Sequence, residues 1–504
     1  MPKYYLTTPI YYVNDKPHIG HSYTTIVADV IARYRRLRGD EVRFVTGTDE
    51  NSQKNVEAAE KAGQKDIQAY LDDMSADWRQ TWTDLGITFD DFIRTTEDRH
   101  KKGVEKFWNA VYEKGDIYEG EYEGLYCTGC EAFYKETDLV DGSCPVHKKP
   151  ATKLKEKNWF FRLTKYRPAL LAHIDAHPEF IRPVSRRNEV RSYVDKFMED
   201  ISISRETVRW GIPVPNDPKS VIYVWFDALL NYMTAVGYGT DDAMFSKWWP
   251  ADLHLVGKDI IKFHCALWPA MLMSAGLPLP TQVFAHGYFT IEGEKMSKSL
   301  GNVIDPKDMA AKYGMDALRF FLLREIPFGD DGDFSEERLK QRYSGELGNA
   351  LGNLMHRVLS MTEKYFEGKV PALDGDGAAA KAAWENYEKA MDSFDFLTTL
   401  NVILASARSM NGEIDIEKPW DLAKTDRTRL AGLLYRHLEQ LRHLAWMLKP
   451  IMPETSTKML LQLGATVAEM NKTYDSAKTW GGMTEGATIA KGQPLFPRLE
   501  GEKA

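Results

Sequence analysis

The sequence predicts an α/β fold in which a doubly wound parallel sheet carries an insertion and is followed by an all-α helical bundle. Strand-like and helical segments alternate up to residue 293, the pattern of a parallel sheet with helices on both faces. The alternation stops between residues 115 and 210, and beyond Pro306 the periodicity is almost entirely helical. We therefore divide the chain into 1–114 and 211–293 (the sheet domain), 115–210 (the insertion), 294–335 (a connecting region) and 336–504 (the helical domain).

Length and composition predict a soluble globular protein. A chain of 504 residues suggests two to four domains. Because neither a leader pattern nor a membrane-length apolar run is present, we expect a cytoplasmic protein. The net charge of −8 argues against indiscriminate nucleic-acid binding. One stretch, Lys148 to Arg167, holds eight basic residues and a single acid, Glu156. Such a stretch is most often a solvated face, and here it is also a candidate RNA contact.

The motif Pro17-His18-Ile19-Gly20-His21 lies between a predicted strand, Lys3 to Thr8, and a predicted helix that Gly39 ends. We place Pro17 in the first helical turn. A helix N-terminus attracts phosphate, Gly20 lets a ligand approach the backbone, and the two imidazoles can donate to phosphoryl oxygens. The alternative is a pair of ordinary first-turn histidines.

A second motif, Glu294-Lys295-Met296-Ser297-Lys298-Ser299-Leu300-Gly301-Asn302, is a polar loop between a predicted strand and a helix that begins near Pro306. Alone, it is typical of a solvated basic turn. Together, the two motifs resemble the signature sequences of class I aminoacyl-tRNA synthetases, and the sheet then resembles their Rossmann-like nucleotide-binding domain. The resemblance implies that the lysines clamp the ATP triphosphate, and that the catalytic residues are His18, Gly20, His21, Lys295 and Lys298.

Three of the four cysteines fall within one stretch of 18 residues inside the insertion. Cys127-x-x-Cys130 and Cys144-x-x-His147 are two short-spaced pairs that suit one closed, tetrahedral structural zinc site. The rival interpretations are a redox Cys-x-x-Cys pair and a disulfide with a spare thiol. Zinc is favoured because His147 supplies a fourth ligand and cytosolic disulfides are rare. Cys265 is expected to be a plain core thiol.

Asp49 directly follows a predicted strand, Val42 to Thr46, and the short link Gly47-Thr48. Ligands of open α/β sheets bind beyond the carboxyl ends of the strands, so this carboxylate is a candidate ligand contact. It could equally be the N-cap of the predicted helix Ser52 to Ala62, and the two roles are compatible.

Further motifs resemble methionyl-tRNA synthetases of the bacterial form with one zinc knuckle, and the resemblance extends from Tyr4 to Pro497. They are Pro9-Ile10-Tyr11-Tyr12-Val13-Asn14, Tyr223-Val224-Trp225-Phe226-Asp227-Ala228-Leu229, Gly257-Lys258-Asp259-Ile260, His286-Gly287-Tyr288, Gly348-Asn349-x-x-x-Asn353-x-x-x-Arg357 and Lys418-Pro419-Trp420. The resemblance implies activation of L-methionine by Mg-ATP to methionyl-adenylate with release of pyrophosphate. The methionyl group would then pass to the 3′ end of elongator and initiator methionine tRNA.

The resemblance also implies roles for individual residues. Asp49 would bind the α-ammonium group of methionine. The side-chain pocket would comprise Ile10, Tyr12, Trp225, Ala228, Leu229, Tyr232, Ile260, Phe263, His264 and Trp268. The ATP contacts would be His18, His21, Gly257, Asp259, His286, Gly287, Lys295 and Lys298. Because hydrophobic contacts alone reject leucine and isoleucine poorly, we expect Tyr12 and His264 to donate hydrogen bonds to the sulfur. Without the resemblance, Phe263 and Trp268 would be read as core.

The helical domain carries a candidate RNA surface. Asn349, Asn353 and Arg357 recur at four-residue intervals, which would place them on one helix face. Such a face is usually a plain solvent face, and Trp420 could equally be core. Unpaired RNA bases, however, are read by amides and guanidinium groups and stack on aromatic rings. The family resemblance implies that this surface reads the CAU anticodon.

Two rival functions fit less well. A zinc-stabilised RNA-binding module without chemistry would need neither signature motif. A small-molecule nucleotidylyltransferase would not need a helical region as long as residues 306–504. The sequence also lacks the oligonucleotide-binding appendix that dimerises many family members, so we expect a monomer.

Overall fold

The structure is a computed structural model that describes residues 1–127, 132–134, 136–145, 148–206, 208–291, 293–295 and 303–499. The strands of these residues, in chain order β1 to β16, are Lys3–Tyr12, Glu41–Asp49, Asp91–Arg94, Ile117–Cys127, Ala132–Tyr134, Thr152–Phe161, Ile181–Arg182, Ile201–Ser202, Ser204–Arg205, Pro213–Val214, Asp217–Ile222, Leu253–Gly257, Val283–His286, Phe289–Ile291, Glu294–Lys295 and Gly332–Asp333.

The α-helices of the described residues, in chain order α1 to α21, are Ile19–Leu37, Gln53–Lys61, Ile67–Asp84, Asp98–Glu113, Arg167–Ala176, Val184–Lys196, Val224–Ala228, Asn231–Thr234, Asp242–Trp248, Trp268–Ala275, Pro306–Tyr313, Met315–Arg324, Glu336–Arg342, Asn353–Phe366, Ala378–Asp392, Phe396–Glu417, Pro419–Thr425, Arg427–Leu448, Pro453–Gln462, Val467–Met470 and Tyr474–Ala477. Two segments are π-helical, Phe263–Leu267 and Tyr343–Gly352. Among the described residues, no helix combines the length and the apolar character needed to cross a membrane.

The main sheet has six strands in the order β3-β2-β1-β12-β13-β7. The pairs β2–β3, β1–β12, β12–β13 and β13–β7 are all parallel. The strand order reverses between β1 and β12, which is the position where doubly wound sheets bind ligands. Every residue of β12 and β13 is buried, as expected for central strands covered on both faces. The predicted parallel-sheet α/β domain is therefore confirmed.

The insertion contains an antiparallel sheet in the order β5-β4-β6-β8. Strands β4 and β6 pair over a long register, from Ile117 opposite Phe161 to Tyr126 opposite Thr152. The insertion also supplies β7 to the edge of the main sheet, which the sequence did not predict. Part of its basic stretch is used within the fold, since Lys165 pairs with the buried Asp116 at 2.5 Å.

The helical domain is confirmed, but its helices are shorter than predicted, since the periodicity indicates continuous helices over residues 336–366, 378–411 and 422–448. The helix expected from 378 to 411 is two helices, because Phe394 adopts a positive φ of 60° and Asp395 caps the start of α16. The helix expected from 422 to 448 is likewise divided, with Asp426 capping α18. The helix expected from 336 to 366 is interrupted by the π-helical segment Tyr343–Gly352.

Spatial contacts divide the chain into two compact units, residues 1–2, 18–41 and 287–504, and residues 3–17 and 42–286. Helix α1 belongs to the first unit, with the helical domain. Its buried Asp29 accepts a hydrogen bond from Arg319 of α12 at 2.7 Å, and Arg319 also donates to the carbonyl oxygen of Ile451 at 2.7 Å. The five-segment division of the sequence stays a prediction.

Candidate active site

The two histidines of the first motif cap helix α1. His18 is the N-cap residue, so α1 begins at Ile19 and Pro17 lies before the helix, not in its first turn as predicted. His18 Nδ1 accepts a hydrogen bond from Gly20 N–H at 3.1 Å, and His21 Nδ1 accepts one from His18 N–H at 3.3 Å. This reciprocal arrangement is a capping box made by two imidazoles.

The capping fixes the orientation of both rings. An imidazole nitrogen that accepts a hydrogen bond carries no proton, so the neutral rings hold their proton on Nε2. The rings stack with centroids 3.7 Å apart. The motif therefore presents two Nε2–H donors, in fixed orientation, at a helix N-terminus that already favours anions.

The second motif, residues 294–302 and called the lysine loop below, is described only at its flanks. Lys295 is in β15, opposite Thr290 of β14, and residues 296–302, which include Lys298, lie outside the described residues. Asp305 caps α11, which begins at Pro306 as predicted. Ile19 N–H donates to the carbonyl oxygen of Ile304 at 3.1 Å. The first turn of the histidine helix is thus hydrogen-bonded to the chain that leaves the lysine loop.

Several predicted ligand contacts lie at the carboxyl ends of the parallel strands. Asp49 ends β2, and Gly257 at the end of β12 is opposite His286 at the end of β13. Asp259 is exposed in a short 3₁₀ turn just beyond β12. Gly287 follows β13, and a Cβ atom there would lie 2.2 Å from the carbonyl oxygen of Asp330. Only glycine therefore fits at position 287.

Asp49 is buried, and two donors reach its Oδ1 atom. They are the backbone N–H of Asn51 at 3.2 Å and the hydroxyl of Thr95 at 3.4 Å. The alternative role of Asp49 as an N-cap is wrong, since Ser52 caps α2 by accepting from Lys54 N–H. The carboxylate is therefore held in place at a strand end without serving the helix.

The aromatic residues predicted to surround the thioether form connected pairs. Trp225 and Phe263 stack in parallel with centroids 4.0 Å apart and an interplanar angle of 2°. The Tyr232 ring lies 5.7 Å from the His264 ring and 6.2 Å from the Trp268 ring. Ile10, Tyr12 and Ile260 are partly buried and pack on the same core, whereas Ala228 and Leu229 are buried.

His264 does not offer the sulfur donor that the sequence predicted. Its Nδ1 lies 2.9 Å from the carbonyl oxygen of Ile260, so Nδ1 carries the proton, and its Nε2 accepts from the Tyr232 hydroxyl at 2.7 Å. Burial lowers the pKa of His264 to about 4, which keeps the ring neutral at pH 7. A neutral imidazole has one N–H, and here that group is already used.

A residue behind the pocket was missed. His254, in the buried strand β12, has Nδ1 2.7 Å from the Thr7 hydroxyl and accepts from the Trp268 indole N–H at 3.3 Å. Burial holds the pKa of His254 well below its usual range. The sequence contains a signal for this residue, because a histidine inside an otherwise apolar strand requires buried hydrogen-bond partners.

The predicted zinc ligands are described only in part. Cys127 at the end of β4 and Cys144 are both buried, and Cys130 and His147 lie outside the described residues. Cys144 N–H donates to Lys149 O at 2.9 Å and Lys148 N–H donates to Cys144 O at 2.8 Å, which closes a turn. Two buried sulfur atoms, one in a tight turn, fit a structural zinc knuckle. No group of three or more potential ligands for a metal ion occurs within the described ranges.

The predicted anticodon residues are accessible. Asn349 and Asn353 are exposed, and Trp420 is 44% exposed in α17. Asn349 belongs to the π-helical segment and Asn353 begins α14, so their spacing is not that of one regular α-helix as predicted. Arg357 donates to Asp415 at 2.8 Å, near the junction of α16 and α17.

Comparisons with known proteins agree with this geometry. The family model "tRNA synthetases class I (M)" matches residues 4–153 and 136–359, and the "Anticodon binding domain of methionyl tRNA ligase" matches residues 377–504. The chain is 46% identical to the methionine–tRNA ligase of Rickettsia bellii, with 99% of both proteins covered. It is also 46% identical to that of Thermotoga maritima, over 99% of this chain and 80% of the relative.

Solved structures match over nearly the whole chain. The structure of Mycobacterium tuberculosis methionyl-tRNA synthetase in complex with methionyl-adenylate has a TM-score of 0.94 at 40% identity, covering 99% of this chain and 100% of that chain. The apo form of the M. tuberculosis enzyme has a TM-score of 0.87 at 38% identity, covering 99% of this chain and 98% of that chain.

A parallel sheet with its candidate ligands at the strand ends, and a histidine-capped helix joined to a lysine loop, define a class I aminoacyl-tRNA synthetase. The relatives and the anticodon-domain match specify the amino acid. The chain belongs to the methionyl-tRNA synthetase family. It is a methionine–tRNA ligase, which activates L-methionine with ATP to methionyl-adenylate, releases pyrophosphate, and transfers the methionyl group to the 3′ end of methionine tRNA.

Proposed function

We propose that Asp49 binds the α-ammonium group of methionine and that Trp225, Phe263 and Tyr232 enclose its thioether side chain. The observation that supports this most directly is the position of Asp49, buried and held by two donors at the carboxyl end of β2. Aromatic rings provide a polarisable sulfur with contacts worth about 0.3–1.5 kcal/mol each. In this proposal the Tyr232 ring is oriented by the hydrogen bond that its hydroxyl donates to His264. His264 itself donates no hydrogen bond to the sulfur.

The adenylation step needs positioning and charge stabilisation rather than a covalent enzyme intermediate. The methionine carboxylate attacks the α-phosphorus of Mg-ATP, and pyrophosphate leaves. The Nε2–H groups of His18 and His21 donate to phosphoryl oxygens while charge develops on them. Lys295 and Lys298 hold the triphosphate, and Gly257, Asp259, His286 and Gly287 contact the nucleotide.

ATP–pyrophosphate exchange, measured with each of the twenty amino acids, tests this assignment. We expect methionine alone to support rapid exchange, and Asp49→Asn to raise the KM for methionine strongly. Asp84→Asn, which changes an exposed carboxylate at the end of α3, is the matched control. A normal methionine KM in Asp49→Asn would remove Asp49 from the proposal and leave the ligase activity as it stands.

We also propose one structural zinc ion per chain, held by Cys127, Cys130, Cys144 and His147. The ion would stabilise the insertion and supply no reaction chemistry, as in closed four-ligand sites. Metal analysis should find one zinc in the wild type and in Cys265→Ser, and less in Cys144→Ser. Cys265 is a suitable control because it is fully buried in the π-helix, where burial raises the pKa of its thiol. Wild-type protein without zinc would contradict the proposal.

For the RNA, the proposed anticodon readers are Asn349, Asn353, Arg357 and Trp420. Exposed amide and indole groups, together with the Arg357 guanidinium, suit unpaired bases. The exposed lysines of the insertion, such as Lys149 and Lys157, would contact the acceptor end. Both elongator and initiator methionine tRNA would be substrates, and a cytoplasmic monomer is the proposed state.

A further inference from the structure

A buried hydrogen-bonded network joins three parts of the sheet domain behind the proposed methionine site. Asp227 of α7 accepts one hydrogen bond from His100 of α4, with Oδ1 and Nε2 2.6 Å apart. It accepts a second from the side-chain amide of Asn51, with Oδ2 and Nδ2 2.6 Å apart. The His100 and Asp227 side chains are both 0% exposed. Each carboxylate oxygen thus has a donor, which is the arrangement a buried carboxylate requires.

The network continues to Asp49 through Asn51. While its side chain donates to Asp227, the backbone N–H of Asn51 donates to Asp49 Oδ1 at 3.2 Å. The Asn51 amide also reaches the carbonyl oxygen of Thr95 at 3.4 Å, and the Thr95 hydroxyl is 3.4 Å from the same Asp49 oxygen. Asp227 does not touch Asp49, but it fixes the residue that does.

The far end of the network is closely packed. His100 Nδ1 lies 2.9 Å from the hydroxyl of Thr234 in α8. Three residues along α4, a Cβ atom on Gly103 would lie 2.3 Å from Thr234 Cγ2, so α4 and α8 approach as closely as glycine allows. His100 is therefore held on both sides and cannot follow a displaced Asp227 without disturbing this contact.

We propose that Asp227, oriented by His100, is a positioning residue that sets the Asp49 carboxylate through Asn51 and thereby determines how tightly the enzyme holds the amino group of its substrate. This inference rests on the proposed role of Asp49. The network would then act on ground-state binding of methionine, so its loss raises the KM for methionine and leaves kcat nearly unchanged.

Asn51→Asp tests the contact with an almost isosteric change. It places a second carboxylate where an amide donated at 2.6 Å, and repulsion between the two carboxylates favours displacement of residue 51 and of its N–H away from Asp49. We expect the methionine KM in ATP–pyrophosphate exchange to rise about tenfold, equivalent to about 1.4 kcal/mol. The KM for ATP should stay within about twofold. Asn51→Ala, which keeps the backbone N–H but loses the amide, should change the methionine KM in the same direction.

A double swap provides the rescue. In Asn51→Asp/Asp227→Asn, the new amide at 227 can donate to the carboxylate at 51 and accept from His100 Nε2–H. We expect the methionine KM to return to within about threefold of wild type. A defect that arises elsewhere than at the contact between residues 51 and 227 would not be repaired by this swap.

Two competitive probes separate positioning of the amino group from general loss of the site. L-methioninol keeps the ammonium group but lacks the carboxylate, and 4-(methylthio)butanoate keeps the carboxylate but lacks the ammonium group. Asn51→Asp should weaken inhibition by methioninol about tenfold and leave inhibition by the butanoate unchanged. Ser274→Ala is the matched control, because it removes another buried hydrogen bond to a carboxylate, that of Asp116 at 2.8 Å. It should lower stability without changing either inhibition constant.

The outcomes distinguish a failure of this inference from a failure of the proposed role of Asp49. If Asp49→Asn raises the methionine KM while Asn51→Asp and Asn51→Ala do not, Asp49 keeps its role and the network proposal is wrong. If Asp49→Asn also leaves the KM unchanged, the ammonium site itself is misplaced, and the network proposal falls with it. If inhibition by both probes weakens equally, or if the methionine KM does not recover in the double swap, the network contributes only to stability.

Discussion

The proposed methionine pocket and the proposed anticodon surface differ in how the fold holds their side chains. In the pocket, Tyr232 and His264 are buried, and their hydrogen bonds determine which atom carries each proton. On the surface, Asn349 and Asn353 are exposed, and Arg357 is paired with Asp415, whose side chain is 67% exposed. A small substrate rewards a preorganised site, because little binding energy is then lost in ordering it. RNA loop bases are instead read by side chains that are accessible on a surface.

The largest expected effect separates activation from tRNA reading. Lys295→Ala should lower the rate of adenylate formation about 10²-fold or more, since one electrostatic donor to the transition state is lost. Methionine affinity should stay nearly intact because the charge develops only during reaction. Pre-steady-state kinetics of adenylate formation at varied methionine concentration measure both quantities, with Lys307→Ala, beyond the loop, as the control. Unchanged chemistry with weaker methionine binding would contradict the assignment.

The next effect concerns acid stability of the pocket. Burial lowers the pKa of His264 to about 4 in the folded protein, below its ordinary value of 6.5. The unfolded chain therefore binds a proton first as pH falls, and stability present above pH 6.5 is lost between about 6.5 and 4. The contribution is on the order of 3 kcal/mol.

Denaturant unfolding at pH 7 and pH 4.5 measures this loss. His264→Asn should lose less unfolding free energy on acidification than the wild type, whereas His177→Gln, on the exposed end of α5, serves as the control. The same loss in His264→Asn and wild type would show that His264 is not the group responsible. The anticodon surface has no buried histidine of this kind among the residues proposed to read RNA.

Trp420→Ala should affect only the surface. Loss of base stacking should weaken tRNA binding by about 1–3 kcal/mol. Exchange without tRNA should remain near wild type, because the adenylate site does not involve α17. The comparison of charging kinetics with exchange kinetics tests this, and Trp446→Phe, in the buried core of α18, controls for general loss of packing. A parallel fall in exchange would make Trp420 a structural residue.

The smallest effects distinguish Arg357 from its partner. Arg357→Ala should weaken tRNA binding by about 1–3 kcal/mol through lost base or phosphate contacts. Asp415→Ala removes only a solvent-exposed ion pair, which is worth about 0–1 kcal/mol, so it should leave tRNA binding unchanged or slightly tighter. Filter binding with methionine tRNA measures both. If the two variants weaken binding equally, the ion pair and not the guanidinium is what the RNA requires.

The two regions also differ in how far the sequence predicts them. Asp49 and the Gly257–His286 pair follow from strand ends, because parallel strands bring their carboxyl ends to one edge. The donor assigned to His264 was wrong because a motif identifies a ring but not the partners that fix its protons. His100 and Asp227 were not recognised as a pair, since they are distant in sequence and only the packing of α4 against α7 and α8 brings them together. In the helical domain, periodicity could not show that the segment 378–411 is divided at Phe394 and that the segment 422–448 is divided at Asp426.

The attachment of α1 to the helical domain determines where this chain can be cut. A fragment ending at residue 286 would keep all six strands of the main sheet. It would also remove Arg319, and with it the ion pair to the fully buried Asp29 on the helix that His18 and His21 cap. Asp29 would keep its ion pair with Arg33, at 2.7 Å, and lose the one that joins α1 to α12. A piece of the chain that retains this ion pair must extend through α12, and it must reach residues 450–451 to keep the hydrogen bonds of the Arg319 guanidinium to backbone carbonyl groups.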